Sequence, residues 1–213
     1  MSKLRWKIAQ YAEIRWWQNY LQRKPVADYL QWKTAYWKDF LRQAELSPEP
    51  GSQVLDAGCG PAGIFTILEG LQVDAVDPLI DRYEDSLIHF KKSQYSFVSF
   101  FPVSIEEIMP VKSYDIIFCL NAINHFENLN ACLEKLVNCL RPGGTMVISI
   151  DAHNYQIFKY LFRLIPGDIL HPHQYDLDEY RHMLVSRGLK VVKEIRFQQH
   201  FLFNYYAIVC HKA

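Results

Sequence analysis

The residues that could do chemistry are gathered in one stretch, 53–77, which reads QVLDAGCGPAGIFTILEGLQVDAVD. An apolar run, Val54-Leu55, ends on Asp56 and breaks into Gly58-Cys59-Gly60-Pro61-Ala62-Gly63. A helical stretch from Ile64 to Glu69 follows, and a second apolar run, Val73 to Val76, ends on Asp77. The pattern predicts strand, turn, helix, strand, with an acid closing each strand. Ligands of open parallel sheets bind where the carboxyl ends of the strands meet the loops. Glycines after the first strand let the backbone turn sharply and come close to a ligand. An acid at the end of the second strand suits the two hydroxyls of a ribose.

The spacing Gly58-x-Gly60-x-x-Gly63 also fits a dinucleotide turn, in which a helix N-terminus faces a pyrophosphate. Two residues argue against that ligand. Asp56 would repel a pyrophosphate, and Pro61 removes one of the loop amides it would need. Asp56 suits a cationic ligand instead. VLDAGCGPAG resembles motif I of the class I S-adenosylmethionine-dependent methyltransferases, whose usual form is D/E-x-G-x-G-x-G. Ala62 stands at the third glycine position, with Gly63 one later. Asp77 then falls where that family has its ribose-binding acid. The resemblance implies S-adenosylmethionine as cofactor and S-adenosylhomocysteine as product.

Other elements must position this stretch. Leu4, Ile8, Tyr11, Trp17, Tyr20 and Leu21 recur at helical spacing, Pro25 breaks the run, and Val26, Tyr29, Leu30, Lys33, Tyr36, Trp37, Phe40 and Leu41 resume it. Two amphipathic helices are expected, ending before Ser47-Pro48-Glu49-Pro50-Gly51. All five tryptophans lie here. After Asp77-Pro78 come a predicted helix, 79–92, and a short strand, 95–100. The stretch PVSIEEIMPVKSYDIIF, 102–118, resembles the family segment that meets the adenine ring, with Ser104-Ile105 at that place. Glu106 and Glu107 read as a solvated turn. The fourth strand, 115–120, runs into Asn121-Ala122-Ile123-Asn124-His125, matching the family's polar strand end followed by a histidine. Residues 128–140 read as a helix, Arg141-Pro142-Gly143-Gly144 as its end and turn, and 145–150 as the fifth strand. Residues 154–165 are apolar nearly all round and read as a helix. Asp176 caps a helix, 177–186, ended by Gly188. The runs 189–197 and 201–210 make an antiparallel hairpin.

The resemblance implies a Rossmann-like α/β domain of seven strands in the order 3-2-1-4-5-7-6, strand 7 antiparallel, here with an N-terminal helical cap. The cap is placed at 1–46 and the class I methyltransferase domain at 50–213, with a lid-like insertion at 151–175. The resemblance puts Asp56, Gly58, Cys59, Gly60, Asp77, Pro78, Ser104, Ile105 and Asn121 around the cofactor. His125 is the candidate general base, since imidazole titrates in the useful range; a structural loop histidine is the rival reading. His171-Pro172-His173 could join His125 or Asp151 on a metal, but His-Pro-His also reads as a rigid loop, and no metal is expected.

The resemblance implies methyl transfer, and the aromatic surplus an acceptor that is small and apolar or aromatic. Neither [DNS]-P-P-[YFW] nor a Pro-Cys nucleophile occurs, so base methylation of nucleic acid lacks its recognisable motifs. Formal net charge is zero, and nucleic acid and membrane are not expected as partners. Residues 1–45 nonetheless hold nine Lys/Arg against four acids, so an RNA or protein methyltransferase docking through these helices is one alternative. A non-catalytic S-adenosylmethionine-binding protein of the same fold is another. Five cysteines without a CxxC pair read as reduced, hence a cytoplasmic chain. The surplus of aromatics at Tyr11, Trp16, Trp17, Tyr29, Trp32, Tyr36 and Trp37, and again at 155–162, predicts an enclosure over the methyl end of the cofactor; the rival readings are a helical pack that hides these rings from the cavity, or a homodimer contact built from them.

Overall fold

The computed structural model describes residues 3–108, 113–153, 175–199 and 203–213. Two helices open it, α1 (Lys3–Leu21) and α2 (Val26–Ala44). Then come β1 (Gln53–Ala57), β2 (Gln72–Val76), α3 (Ile80–Ser86), β3 (Val98–Phe101), β4 (Tyr114–Leu120), α4 (Leu129–Cys139) and β5 (Leu140–His153). The chain closes with α5 (Leu177–Val185), β6 (Leu189–Gln199) and β7 (Phe203–Lys212). The strands form one seven-stranded sheet in the order β3-β2-β1-β4-β5-β7-β6. Strands β1 to β5 pair in parallel, and β7 runs antiparallel to both β5 and β6. Fold class and strand order are as the sequence predicts.

Each face of the sheet has its own core. Ile117, Ile148 and Ile208 meet Leu133 and Leu136 of α4 and Leu184 of α5 on one side. Val54, Phe118 and Val147 meet Trp37 and Phe40 of α2 and Tyr83 of α3 on the other. Burial on both faces explains why the parallel strands read as continuous apolar runs and not as alternation. The N-termini of α4 and α5 are closed by side chains. Asn128 accepts from the N–H of Ala131 at 3.1 Å, and Asp176 and Glu179 form a reciprocal capping box on α5. The Lys212 ammonium donates to the carbonyls of Val137 and Leu140, both at 2.6 Å, placing a cation at the C-terminal end of α4.

Three elements depart most from the expected spans. The helix after the glycine turn is a single 3-10 turn, Ile64–Ile67, because Gly70 turns the chain (φ 87°) toward β2 so soon after it. The helix expected over 79–92 ends at Ser86. Tertiary contacts hold the rest: Phe90 packs edge-on against Phe65, Tyr83 and Phe100, and His89 Nε2 bonds the Lys24 carbonyl at 2.8 Å. Strand β5 begins at Leu140, paired with Tyr114. The expected turn at 141–144 is absorbed as an irregularity of the strand, with Gly143 at φ 73° and Arg141 paired to Asp115. The apolar run 154–165 lies outside the described residues.

The cap helices are built into the core. Trp37 Nε1 donates to the Ala62 carbonyl at 2.9 Å, and Phe40 stacks on Phe197 with centroids 4.9 Å apart. One flaw remains: the Tyr29 hydroxyl is buried with no hydrogen-bond partner among the described residues. A buried hydroxyl that makes no bond costs its full desolvation. Tyr29→Phe should therefore raise the unfolding free energy by about 1 kcal/mol, read by urea denaturation; a loss of similar size would show that the hydroxyl has a partner.

Candidate functional site

A cavity of about 480 Å³ opens at the carboxyl ends of β1, β2 and β4. Its floor is the loop after β1. Gly58 and Gly60 take positive φ, 72° and 57°. A Cβ on Gly58 would fall 2.3 Å from Ala122 Cβ, so only glycine lets the β1 loop pass the end of β4. The N–H groups of Gly58 and Cys59 both donate to the Val76 carbonyl, at 2.7 and 3.1 Å, which ties the loop to the end of β2.

Asp77 completes that tie. One carboxylate oxygen accepts from the Gly60 N–H at 3.0 Å and the other from the Leu79 N–H at 2.8 Å. A carboxylate has about four lone-pair sites, so acceptor capacity remains. Burial pushes the Asp77 carboxyl up, and Glu13 across the cavity adds to the rise. Asp56 is also buried, and its Oδ2 accepts from the Phe65 N–H at 3.0 Å, closing the 3-10 turn. Burial raises Asp56 to about 7 against the opposing pull of the Phe65 and Ile64 amides and of Lys33. Burial likewise lifts the Cys59 thiol, so it stays protonated and inert.

Every residue expected at the site lines this one cavity: Asp56, Gly58, Cys59, Gly60, Asp77, Pro78, Ser104, Ile105, Asn121 and His125. Asn121 is held at φ 56°, a conformation asparagine tolerates better than most residues. Its N–H donates to Ser149 Oγ at 2.9 Å. The same hydroxyl receives the Tyr205 hydroxyl at 2.9 Å, which in turn receives Tyr36 of α2 at 3.3 Å. The backbone N–H of His125 donates to the Ala122 carbonyl at 2.9 Å.

The rings over the cavity divide. Trp16, Trp17, Tyr20, Tyr29, Trp32 and Trp37 line it. Tyr36 turns to Tyr205, and Tyr11 is exposed, so these two serve other ends. Residues 155–162, His171 and His173 lie outside the described residues, so neither the second half of the expected enclosure nor the His-Pro-His loop is described. The expectation of a solvated turn at Glu106 is corrected. Glu106 is half-buried and accepts from the Glu127 and Asn128 N–H groups at 3.0 and 3.3 Å. Burial alone would raise its carboxyl, but bonds from Cys132 and the backbone hold it below its ordinary value.

Three residues were not singled out by sequence. Glu13 of α1 lines the cavity and accepts from the Tyr83 hydroxyl at 3.0 Å. Lys33 of α2 also lines it, and burial lowers its ammonium to about 8. A signal for Lys33 exists: a lysine on the apolar stripe of a helix, one turn from Tyr29 and one from Trp37. Glu13 and Tyr83 carry no such mark, since nothing in the sequence says that α1 and α3 meet.

A family model described as a methyltransferase domain matches residues 29–194. The ubiquinone biosynthesis O-methyltransferase of Bradyrhizobium sp. (strain ORS 278) is 29% identical over 179 residues, which cover 75% of this chain and 70% of the relative. The enzyme of the same name from Rickettsia typhi is 32% identical over 120 residues, 55% of this chain and 48% of the relative. The chain thus spans about half the length of that relative. Among solved structures, the N-methyltransferase NodS from Bradyrhizobium japonicum, in complex with S-adenosyl-L-homocysteine, matches with a TM-score of 0.63 at 16% identity, over 90% of each chain. The 1,6-didemethyltoxoflavin-N1-methyltransferase of Burkholderia thailandensis matches with a TM-score of 0.63 at 16% identity, over 98% of this chain and 87% of that one. Such identities speak to fold alone. The family match covers most of the chain, and the chain belongs to the methyltransferase-domain family.

The Asp56 carboxyl sets a pH dependence. Its folded value of about 7 stands above the ordinary 3.8. As pH rises, the unfolded chain loses this proton first, so the stability it contributes is full below about pH 4 and lost as pH passes 7. Between about pH 4 and 7.5 the unfolding free energy of the wild type should fall by about 3–4 kcal/mol relative to Asp56→Asn. Parallel curves for the two proteins in urea would show that Asp56 is already ionised at low pH.

Proposed function

We propose that this member of the methyltransferase-domain family is an S-adenosylmethionine-dependent methyltransferase acting on a small apolar or aromatic acceptor. The observation that carries the reading is Asp77. Its carboxylate is locked by two backbone N–H groups at the end of β2, retains acceptor capacity, and lines the same cavity as the Gly58–Gly60 loop. Asp77 would hold the ribose hydroxyls, Ser104 and Ile105 the adenine edge, and the Gly58–Gly60 loop with Asn121 the methionyl part. The carboxyls of Glu13, Asp56 and Asp77 line the cavity, which suits a cationic donor and opposes a pyrophosphate. When bound, S-adenosylmethionine supplies a methyl group on a cationic sulfur.

The chain has then to orient the acceptor, exclude water and, for a hydroxyl acceptor, take a proton. Trp16, Trp17, Trp32 and Trp37 give the acceptor apolar faces, Trp37 buried and Trp16 and Trp32 half-exposed. His125 takes the proton. In this reading 1–46 is a cap on a methyltransferase domain at 50–213. A cavity of this size lined by aromatic rings fits a small molecule better than a polymer laid across the basic helices. The relatives named O-methyltransferases support an oxygen acceptor. All five cysteines are free and buried, which suits a reducing, cytoplasmic setting. No helix among the described residues is long and apolar enough to cross a membrane.

Calorimetry tests the donor. S-adenosylhomocysteine should bind and NAD should not, and Asp77→Ala should weaken the former by about 1.5–3 kcal/mol, the scale for losing a charged acceptor. Binding of NAD with no response to S-adenosylhomocysteine would overturn the reading. With an acceptor found by screening phenols and amines, His125→Gln should lower kcat by about 10²–10⁴-fold and spare S-adenosylhomocysteine affinity; an unchanged kcat would remove His125 from the chemistry.

A further inference from the structure

A chain of four polar side chains runs behind the cavity wall, from α2 to the end of β4. The Tyr36 hydroxyl donates to the Tyr205 hydroxyl at 3.3 Å, and Tyr205 donates to Ser149 Oγ at 2.9 Å. Ser149 Oγ donates to Asn121 Oδ1 at 3.3 Å and accepts the Asn121 N–H at 2.9 Å. Ser149 and Tyr205 are buried, and burial pushes the Tyr205 hydroxyl up, so it remains a donor. Asn121 lines the cavity, whereas Tyr36, Ser149 and Tyr205 stand behind it.

The far end of this chain is a backbone in an uncommon state. Asn121 has φ 56°, a region that residues with a side chain seldom adopt. Such a conformation persists where the surroundings over-determine it. Here the determinant is one hydroxyl. A serine offers one proton and two lone pairs. Ser149 spends the proton on the Asn121 side-chain carbonyl and the lone pairs on the Asn121 N–H and the Tyr205 hydroxyl. Every bond it can make is thus in use, and its orientation is set. Without the Tyr205 donor, one lone pair falls vacant and the hydroxyl is free to turn. With the Asn121 N–H anchored on β5, φ decides where the Asn121 carbonyl faces at the cavity wall.

We infer that Tyr205 is a positioning residue for the amino acid end of the methyl donor: through Ser149 it holds Asn121 in the turned conformation that meets that end, and Tyr36 makes cap helix α2 part of the same brace. The inference rests on the reading above that gives Asn121 the methionyl part. One hydrogen-bonded chain then sets both the helix that walls the cavity and the strand end that meets the donor. Loosening at the cap is felt at the amino acid end, and not at the adenosyl end given to Asp77, Ser104 and Ile105.

Calorimetry on the full chain tests this with S-adenosylhomocysteine and with 5′-methylthioadenosine, which shares the adenosyl part and lacks the amino acid end. Tyr205→Phe and Tyr36→Phe each remove one hydroxyl and keep the ring. Tyr205→Phe should weaken S-adenosylhomocysteine about 5- to 10-fold and change 5′-methylthioadenosine by less than about twofold. Tyr36→Phe, one bond further out, should show the same selectivity at about threefold. Once Ser149→Ala has broken the chain, adding Tyr205→Phe should weaken S-adenosylhomocysteine by less than about twofold more. Equal weakening of both ligands marks a packing role and overturns the inference. Unchanged S-adenosylhomocysteine affinity in Tyr205→Phe overturns it too, as does an undiminished effect of Tyr205→Phe on top of Ser149→Ala. Should Tyr205→Phe fail to fold, Tyr36→Phe decides by the same two ligands. A wild-type protein that binds neither ligand overturns the donor reading, and the inference with it; failure confined to the variants leaves that reading standing.

Discussion

The site depends on one buried carboxylate that is made to face two ways. Asp77 accepts from Gly60 on the β1 loop and from Leu79 just past its own strand. It thereby fixes the glycine-rich turn and the acid beside it as a single rigid unit. The cost is an unfavourable charge in a buried place, pushed further by Glu13. Such a group is strained toward neutrality until something in the cavity gives its charge a purpose. Asp56 repeats the arrangement one strand over, with its oxygen spent on closing the 3-10 turn.

Around that unit the cap helices behave as walls and not as ornament. Helix α2 is held to the loop by Trp37, to β6 by the bond from the Lys193 ammonium to the Gln43 carbonyl at 3.0 Å, and to β7 by Tyr36. The last contact continues through Tyr205 and Ser149 to Asn121. A side chain on the cap is therefore linked by hydroxyls to the strained backbone at the end of β4. Buried polar chains of this kind favour one geometry when all members are satisfied.

Much of this was legible in the sequence because it is local. Glycines and acids at fixed offsets announce the loop, and apolar runs of strand length announce a sheet covered on both faces. The expected site residues come together for that reason: each sits at a strand end, and the strand order brings the ends side by side. What failed to show was set by contacts distant in sequence. Nothing in 79–92 says that Phe90 will prefer an aromatic cluster with Phe65 and Phe100 to a helix. Glu106 looked solvated because its partners, the Glu127 and Asn128 amides, lie a strand away. The division of the aromatic residues between cavity and core was equally hidden, since helical spacing places Trp32 and Tyr36 alike.

The distribution of the thiols has a practical meaning. All five cysteines are free and buried, and each marks a different part of the molecule. Cys59 lies in the cavity floor, Cys119 in β4, Cys210 in β7, and Cys132 and Cys139 on the buried face of α4. Burial raises each of these thiols, so an alkylating reagent finds almost no thiolate in the closed molecule. Modification then proceeds at the pace of local opening. The protein carries its own set of clocks: the order in which peptides bearing these five positions become labelled would report whether the cap loosens before the sheet, with no engineered probe.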